Sequence, residues 1–195
     1  MIKLLSNKII EYLIAHNTIQ NTNEDIEHYK YGIEITISSL LNIILVLILG
    51  ILLRVFLYSI IFLIVFISLR HLTGGYHANT YFKCNLSLCI VFCLVVISSK
   101  ILKNYIDAHV IIFYLIFSSL IITAFCPVSN KNKPISPDSI QKYKFASLLL
   151  SYIYSIIGFY IANYSLIIES YIITTIIYIN ILVIVSQLLK KEGNS

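Results

Sequence analysis

The run Ile35–Leu53 (ITISSLLNIILVLILGILL), a single Arg54, and the run Val55–Leu69 (VFLYSIIFLIVFISL) decide the fold. A bilayer core takes about 20 apolar residues per helix. The first run fills that length and the second falls short of it. Together they read as a transmembrane hairpin whose turn carries a charge able to snorkel to the interface. Four more apolar runs follow: Cys84–Ile101, Ala108–Cys126 closed by Pro127, and Ala146–Tyr164 with Tyr171–Leu189 as a last hairpin around Glu169. The expected fold class is therefore all-α. It is a polytopic membrane protein with about six transmembrane helices.

Composition points the same way. Of 195 residues, 58% are AVILMFWYC, 12% are charged, and the mean hydropathy is +0.88. Soluble domains run at about 45–50% apolar and about 25% charged. A globule of this size has no interior large enough for the difference. A cytosolic enzyme, a disordered chain and a disulfide-rich secreted module are excluded. The net charge of +5 does not make a nucleic-acid reader. The basic excess sits in loops, where its expected partner is membrane lipid or an acidic ligand. The apolar residues come in blocks and not in alternation, which argues against a membrane barrel. No cleavable signal peptide is expected, because the first strongly apolar run begins only after residue 33.

Eleven of the fourteen Lys and Arg fall on one side of the predicted spans, leaving Arg54, Lys100 and Lys103 on the other. The positive-inside rule then places both termini in the cytoplasm of a cell-membrane protein. The loops Arg70–Lys83 and Pro127–Lys144 should share that side. The chain divides into a cytoplasmic amphipathic segment 1–32, a membrane-embedded domain 33–190 and a tail 191–195. In the first segment Ile2, Leu5, Ile9, Tyr12 and Leu13 recur at helical spacing opposite Lys3, Asn7 and Glu11. The stretch is too short and polar to span. It is expected to form an interfacial amphipathic helix, or else to pack on the bundle ends. Asn23 is placed to cap the helix entering the first span. Ser147, Ser151 and Ser155, continued by Gly158 and Ala162, make a stripe that lets helices approach closely. Packing within the chain is its simpler use, and a subunit interface the other.

The chemistry-bearing segment is Arg70-His-Leu-Thr-Gly-Gly-Tyr-His-Ala-Asn-Thr-Tyr-Phe-Lys-Cys84, a polar stretch between two apolar runs. Gly74 and Gly75 permit backbone conformations closed to other residues. His77 and Cys84 would lie about 10 Å apart along one straight helix, too far for a thiol–imidazole hydrogen bond. A working pair needs a break between them, and Asn79-Thr80, both good N-caps, supplies one. A helix starting there puts Cys84 in its second turn, near a partial positive charge and Lys83. A cysteine with a histidine base is a nucleophilic couple. The plainer reading is a packed cysteine and a solvated histidine. No metal site is expected, since Cys84, Cys89 and Cys93 do not share one helix face. Cys89, Cys93 and Cys126 read as packing residues, and a disulfide is disfavoured at this depth.

The motif Arg70-x-x-x-Gly74-Gly-x-His77-Ala with Cys84 at the head of a span resembles the accessory gene regulator protein B family. These are membrane cysteine endopeptidases of quorum sensing in Gram-positive bacteria. The basic, proline-bounded Pro127-Val-Ser-Asn-Lys-Asn-Lys-Pro134-Ile, the entry Tyr31-Gly-Ile-Glu34 and the order of elements also fit. The resemblance implies cleavage of a small membrane-associated propeptide of the AgrD type. The cleavage runs through an acyl-thioester, and the peptide then cyclises to a thiolactone or lactone. It implies Cys84 as nucleophile and His77 as base, with Arg70 and Gly75 in support. It needs no cofactor. Lys131 and Lys133 would bind an acidic substrate tail, although positive-inside bias explains them equally well. Asp138, Glu34 and Asn79 are open candidates to orient His77. Together with the serine stripe, the resemblance favours a homodimer, with the active site near the cytoplasmic leaflet. The rival readings are a non-enzymatic peptide transporter or export component, and a scaffold in which Cys84 is inert. Spans nearly free of charge weigh against transport.

Overall fold

The structure is a computed structural model that describes residues 2–16, 23–74, 80–128 and 136–192. Its elements are α1 (Ile2–Ala15), α2 (Asn23–Leu52), α3 (Phe56–Thr73), α4 (Tyr81–Leu102), α5 (Ala108–Phe125), α6 (Pro137–Ala162) and α7 (Leu166–Glu192). α2, α3, α4, α6 and α7 are long and apolar enough to cross a membrane. α5 is likewise apolar and, like α3, has 18 residues, about 27 Å at the usual rise. The protein is thus an all-α, multi-pass membrane protein. Many of the side chains left uncovered along the apolar helices are large and apolar, among them Leu40, Ile64, Leu94, Ile97, Phe113 and Ile116. That surface suits lipid tails and would be untenable in water.

Two compact units make up the chain, Met1–Leu45 and Val46–Ser195. In the first, Ser6 donates to the Glu34 carboxylate at 3.1 Å, and Ser6 and Ile10 are buried. Leu5, Ile9 and Tyr12, the apolar face read from the sequence, stay exposed. An uncovered apolar face is what an interfacial helix requires.

In the second unit α7 is the central helix. It packs against α3, α4, α5 and α6. Half of its span is buried, more than in any other span. Tyr171, Ile176, Ile179 and Val183 form its core face, and Phe62 of α3 packs at a tilt against Phe92 of α4. Lipid tails are as apolar as leucine, so hydroxyls must supply part of the helix–helix specificity. Ser68 pairs with Tyr154, Ser98 with Tyr178, Ser99 with Thr174 and Ser119 with Tyr152, all at 2.7–2.9 Å. Asn180 donates to Ser118 at 2.9 Å, and Ser118 meets Ser151. Ser147, Ser151 and Ser155 are buried within the chain, and Ser155 donates to the Tyr114 hydroxyl. The stripe is spent on intramolecular packing, and Gly158 faces Glu169 and Ile172 of α7.

Helix boundaries run further than hydropathy alone suggests. α3 continues past Leu69 to Thr73, and α6 begins at Pro137, well before Ala146. Pro137 is preorganised for a first helical position, and Ser136 before it is extended. α7 begins at Leu166, so Glu169 lies in its first turn and is buried there. Acidic residues suit that end of a helix dipole.

The α2–α3 turn is unusual. The Val55 amide donates to the Gly50 carbonyl at 2.7 Å and the Arg54 amide to Ile51 at 3.0 Å. This is the Schellman pattern, with Arg54 at φ 58° in the left-handed position normally held by glycine. Gly50 lets the two helices close: a Cβ there would come within 2.7 Å of the Ser59 Cβ. Replacing Arg54 by Gly should relieve about 1 kcal/mol of backbone strain. We expect R54G to unfold at a higher temperature in detergent, read by loss of the monodisperse size-exclusion peak on heating. An unchanged or lower midpoint would mean that the arginine head contributes more than its backbone costs.

Candidate functional site

Arg70 and His71 occupy the last turn of α3, where cations complement the helix dipole. The helix stops because Gly74 turns to φ 66°, ψ −154°, a region open essentially to glycine alone. The Gly74 amide donates to the Arg70 carbonyl at 3.1 Å. Beyond α5, Cys126 is extended and the chain turns through Pro127 to Val128, whose amide donates to the Thr73 carbonyl at 2.9 Å. Gly74 and Val128 pair as an isolated parallel bridge. A Cβ on Gly74 would collide with the Val128 carbonyl oxygen. The ends of α3 and α5 are thereby stapled together. The loops expected to share one side do start from one end of this unit.

α4 is launched by the predicted break. Thr80 is extended, and its side chain accepts from the Lys83 amide at 3.3 Å. The Cys84 amide donates to the Thr80 carbonyl at 3.1 Å, which closes the first turn. Cys84 therefore sits at the end of that turn, half-buried, with its thiol at the head of the helix. Helix N-termini carry partial positive charge that favours a thiolate.

The Arg70 guanidinium lies within electrostatic reach of both the Cys84 and the Cys126 thiols. The two cysteines differ. Burial pushes Cys126, just beyond the end of α5, up to about 12 against the pull of Lys144 and Arg70. At neutral pH it stays a protonated, non-nucleophilic thiol. Cys84, at the head of α4, is partly open where Cys126 is buried.

Of the residues singled out from the sequence, Arg70 at the end of α3 and Cys84 at the head of α4 are described, and they lie within electrostatic range of each other. His77, Gly75, Lys131 and Lys133 lie outside the described residues, as does Asn79. Glu34 accepts from Ser6 in the amino-terminal unit. Asp138 belongs to the first turn of α6. Three participants at this end carry no sequence signal of their role. Cys126 read as packing, which its burial fits, but its place beside Arg70 depends on the staple. Lys144 donates to the Thr123 carbonyl at 2.6 Å, and Gln187 to the Phe125 carbonyl at 2.9 Å. Both satisfy carbonyls that a helix end leaves without partners. Lys144 thus leaves the basic loop's charge for a capping task. Among the described residues no three His, Cys, Asp or Glu side chains converge as a metal would require.

Comparison with known proteins gives the family. The family model for accessory gene regulator B matches residues 6–189. A protein of Clostridium beijerinckii named as AgrB-like is 26% identical over 163 residues, covering 83% of this chain and 79% of its own length. No solved structure matches the chain.

If Arg70 supplies the counter-charge for the Cys84 thiolate, removing it slows thiol chemistry there. Arg70→Gln should lower the rate of Cys84 alkylation by iodoacetamide at pH 8 by about 3–10-fold, the effect of a nearby unit charge. Site-resolved mass spectrometry reads the rate at each cysteine, and Cys89 should be unaffected. Equal rates in both proteins would remove Arg70 from the site.

Proposed function

Because the chain belongs to the accessory gene regulator B family, whose role is regulator-peptide processing, we propose that it is the membrane cysteine endopeptidase of that process. The observation that supports this most is the place of Cys84 at the head of a capped helix, within electrostatic range of Arg70. In the proposed reaction His77 takes the proton from the Cys84 thiol. The sulfur then attacks the carbonyl at the carboxyl end of the future signal in an AgrD-type propeptide. The C–N bond breaks, the proton passes from His77 to the leaving amine, and the acidic tail departs. The signal half remains as a thioester on Cys84.

Ring closure follows. A thiol or hydroxyl within the peptide attacks the thioester carbonyl, giving a thiolactone or lactone and returning the Cys84 thiol. The tethered nucleophile has an effective concentration far above that of free thiols. A site poor in water keeps the thioester from hydrolysis. Thioester formation from an amide is uphill, so removal of the released tail drives turnover.

Arg70 stabilises the thiolate or pairs with a substrate carboxylate, and Gly75 has a backbone role. Lys131 and Lys133 hold the acidic tail. The active site lies near the cytoplasmic leaflet, with both termini in the cytoplasm. The homodimer rests on the family resemblance alone, since the serine stripe is consumed within the chain.

Two experiments test the proposal. In cells making the propeptide, Cys84→Ser should leave it uncleaved at normal enzyme levels, and His77→Ala should slow cleavage by about 10²–10⁴-fold. A mass-resolved acyl adduct on Cys84 in the wild type, absent in His77→Ala, identifies nucleophile and base. Normal processing by Cys84→Ser would end the proposal and leave transport or scaffolding. Separately, Lys131→Gln with Lys133→Gln should raise KM by about tenfold at low salt, an effect that fades as salt screens the wild type. An unchanged KM would reduce the two lysines to topology signals.

A further inference from the structure

We infer that the backbone staple between Gly74 and Val128 is the positioning element that sets Arg70 against Cys84, with Gly74 the residue that permits it. Three observations converge on this. Gly74 holds a left-handed backbone, and its amide closes the turn of α3 that carries Arg70. Thr73, its neighbour, accepts from the Val128 amide at 2.9 Å. Val128 is itself buried, two residues after the buried Cys126, so the segment it belongs to is packed and gives the end of α3 a fixed wall.

The last turn of a helix ordinarily frays, because its carbonyls lack partners. Here two successive features stop that. The Arg70 carbonyl is taken by the Gly74 amide, and the Thr73 carbonyl by Val128. The turn bearing the guanidinium then keeps carbonyl partners that a free helix end lacks. Cys84 is fixed from its own side by the Thr80 cap. A charge effect between two groups depends on both being held, since a long arginine on a fraying turn averages over many positions. Any residue with a Cβ at position 74 faces two obstacles at once: the sign of φ and the Val128 carbonyl in its path. Gly74 acts through Arg70 and does not itself touch the reacting atoms.

The inference rests on the cysteine-peptidase reading only in its catalytic consequence, so the test has an arm that needs no propeptide. Cys84 alkylation by iodoacetamide is followed by site-resolved mass spectrometry from pH 6 to 10 in purified full-length protein. Wild type is compared with Gly74→Ala, Arg70→Gln and the double variant. Gly74→Ala should slow Cys84 alkylation about as much as Arg70→Gln does, roughly 3–10-fold, and shift its pH profile in the same direction. The double variant should be no slower than Arg70→Gln alone, because the staple acts through that one side chain. Val128→Pro, which lacks the donating N–H, should behave like Gly74→Ala. Val128→Ala, which keeps the N–H but loses buried side chain, should slow alkylation less than Val128→Pro does. In the propeptide assay Gly74→Ala should lower kcat by about tenfold with KM within about twofold.

Wild-type alkylation in Gly74→Ala, or additive losses in the double variant, overturns the inference. So does loss of the monodisperse folded protein in both Gly74→Ala and Val128→Pro, since the staple would then only hold the fold. The two readings fail separately. If alkylation follows the expected pattern while Cys84→Ser still processes propeptide, the positioning stands and the peptidase proposal falls.

Discussion

A bilayer offers a peptide group no water, so every N–H and C=O inside it must find a partner in the chain. That constraint selects helices for the spans, but it also makes each helix end a problem to be solved. The solutions are visible in turn. Asp107 caps α5 by accepting from the Val110 amide at 2.8 Å, and Thr80 caps α4. Arg54 adopts a left-handed conformation to close α2. Lys144 and Gln187 reach from neighbouring helices to the last carbonyls of α5. Non-helical backbone pairs with non-helical backbone among the described residues at Gly74 and Val128, beside the candidate site. The location follows from the constraint. Arg70 and Cys84 stand at the ends of helices that border this non-helical backbone, which is tolerated where other protein satisfies it.

Much of this was legible in the residues. The apolar runs gave the spans, because hydropathy integrates over a whole helix and small local errors cancel. Thr80 declared itself as a cap, and the two glycines after Thr73 declared a break. Boundaries were less legible. α6 starts at Pro137 and not at Ala146, because its first turns carry Lys142 and Lys144 and so dilute the hydropathy without breaking the helix. Glu169 read as a loop residue, yet it lies in the first turn of α7.

The candidate site was half legible. Arg70 and Cys84 stand fourteen positions apart in a segment whose composition already marked it. What composition does not carry is the contribution of α5. Cys126 and Val128 are far from Arg70 in sequence, and their approach depends on how α3 and α5 end. The Schellman turn at Arg54 was hidden for a related reason. Its usual signal is a glycine, and here the glycine stands four residues earlier, where it serves helix contact instead.

The hydroxyl pairs that join the spans carry an evolutionary consequence. Leucine, isoleucine and valine can replace one another along a lipid-facing surface with little effect on which helix meets which. A serine matched to a tyrosine on another helix is different, since each depends on a particular rotation of its helix. Drift at one member leaves the other's oxygen stranded in hydrocarbon. Divergent relatives should therefore exchange these positions in twos, and such joint changes would map the bundle's wiring from sequences alone.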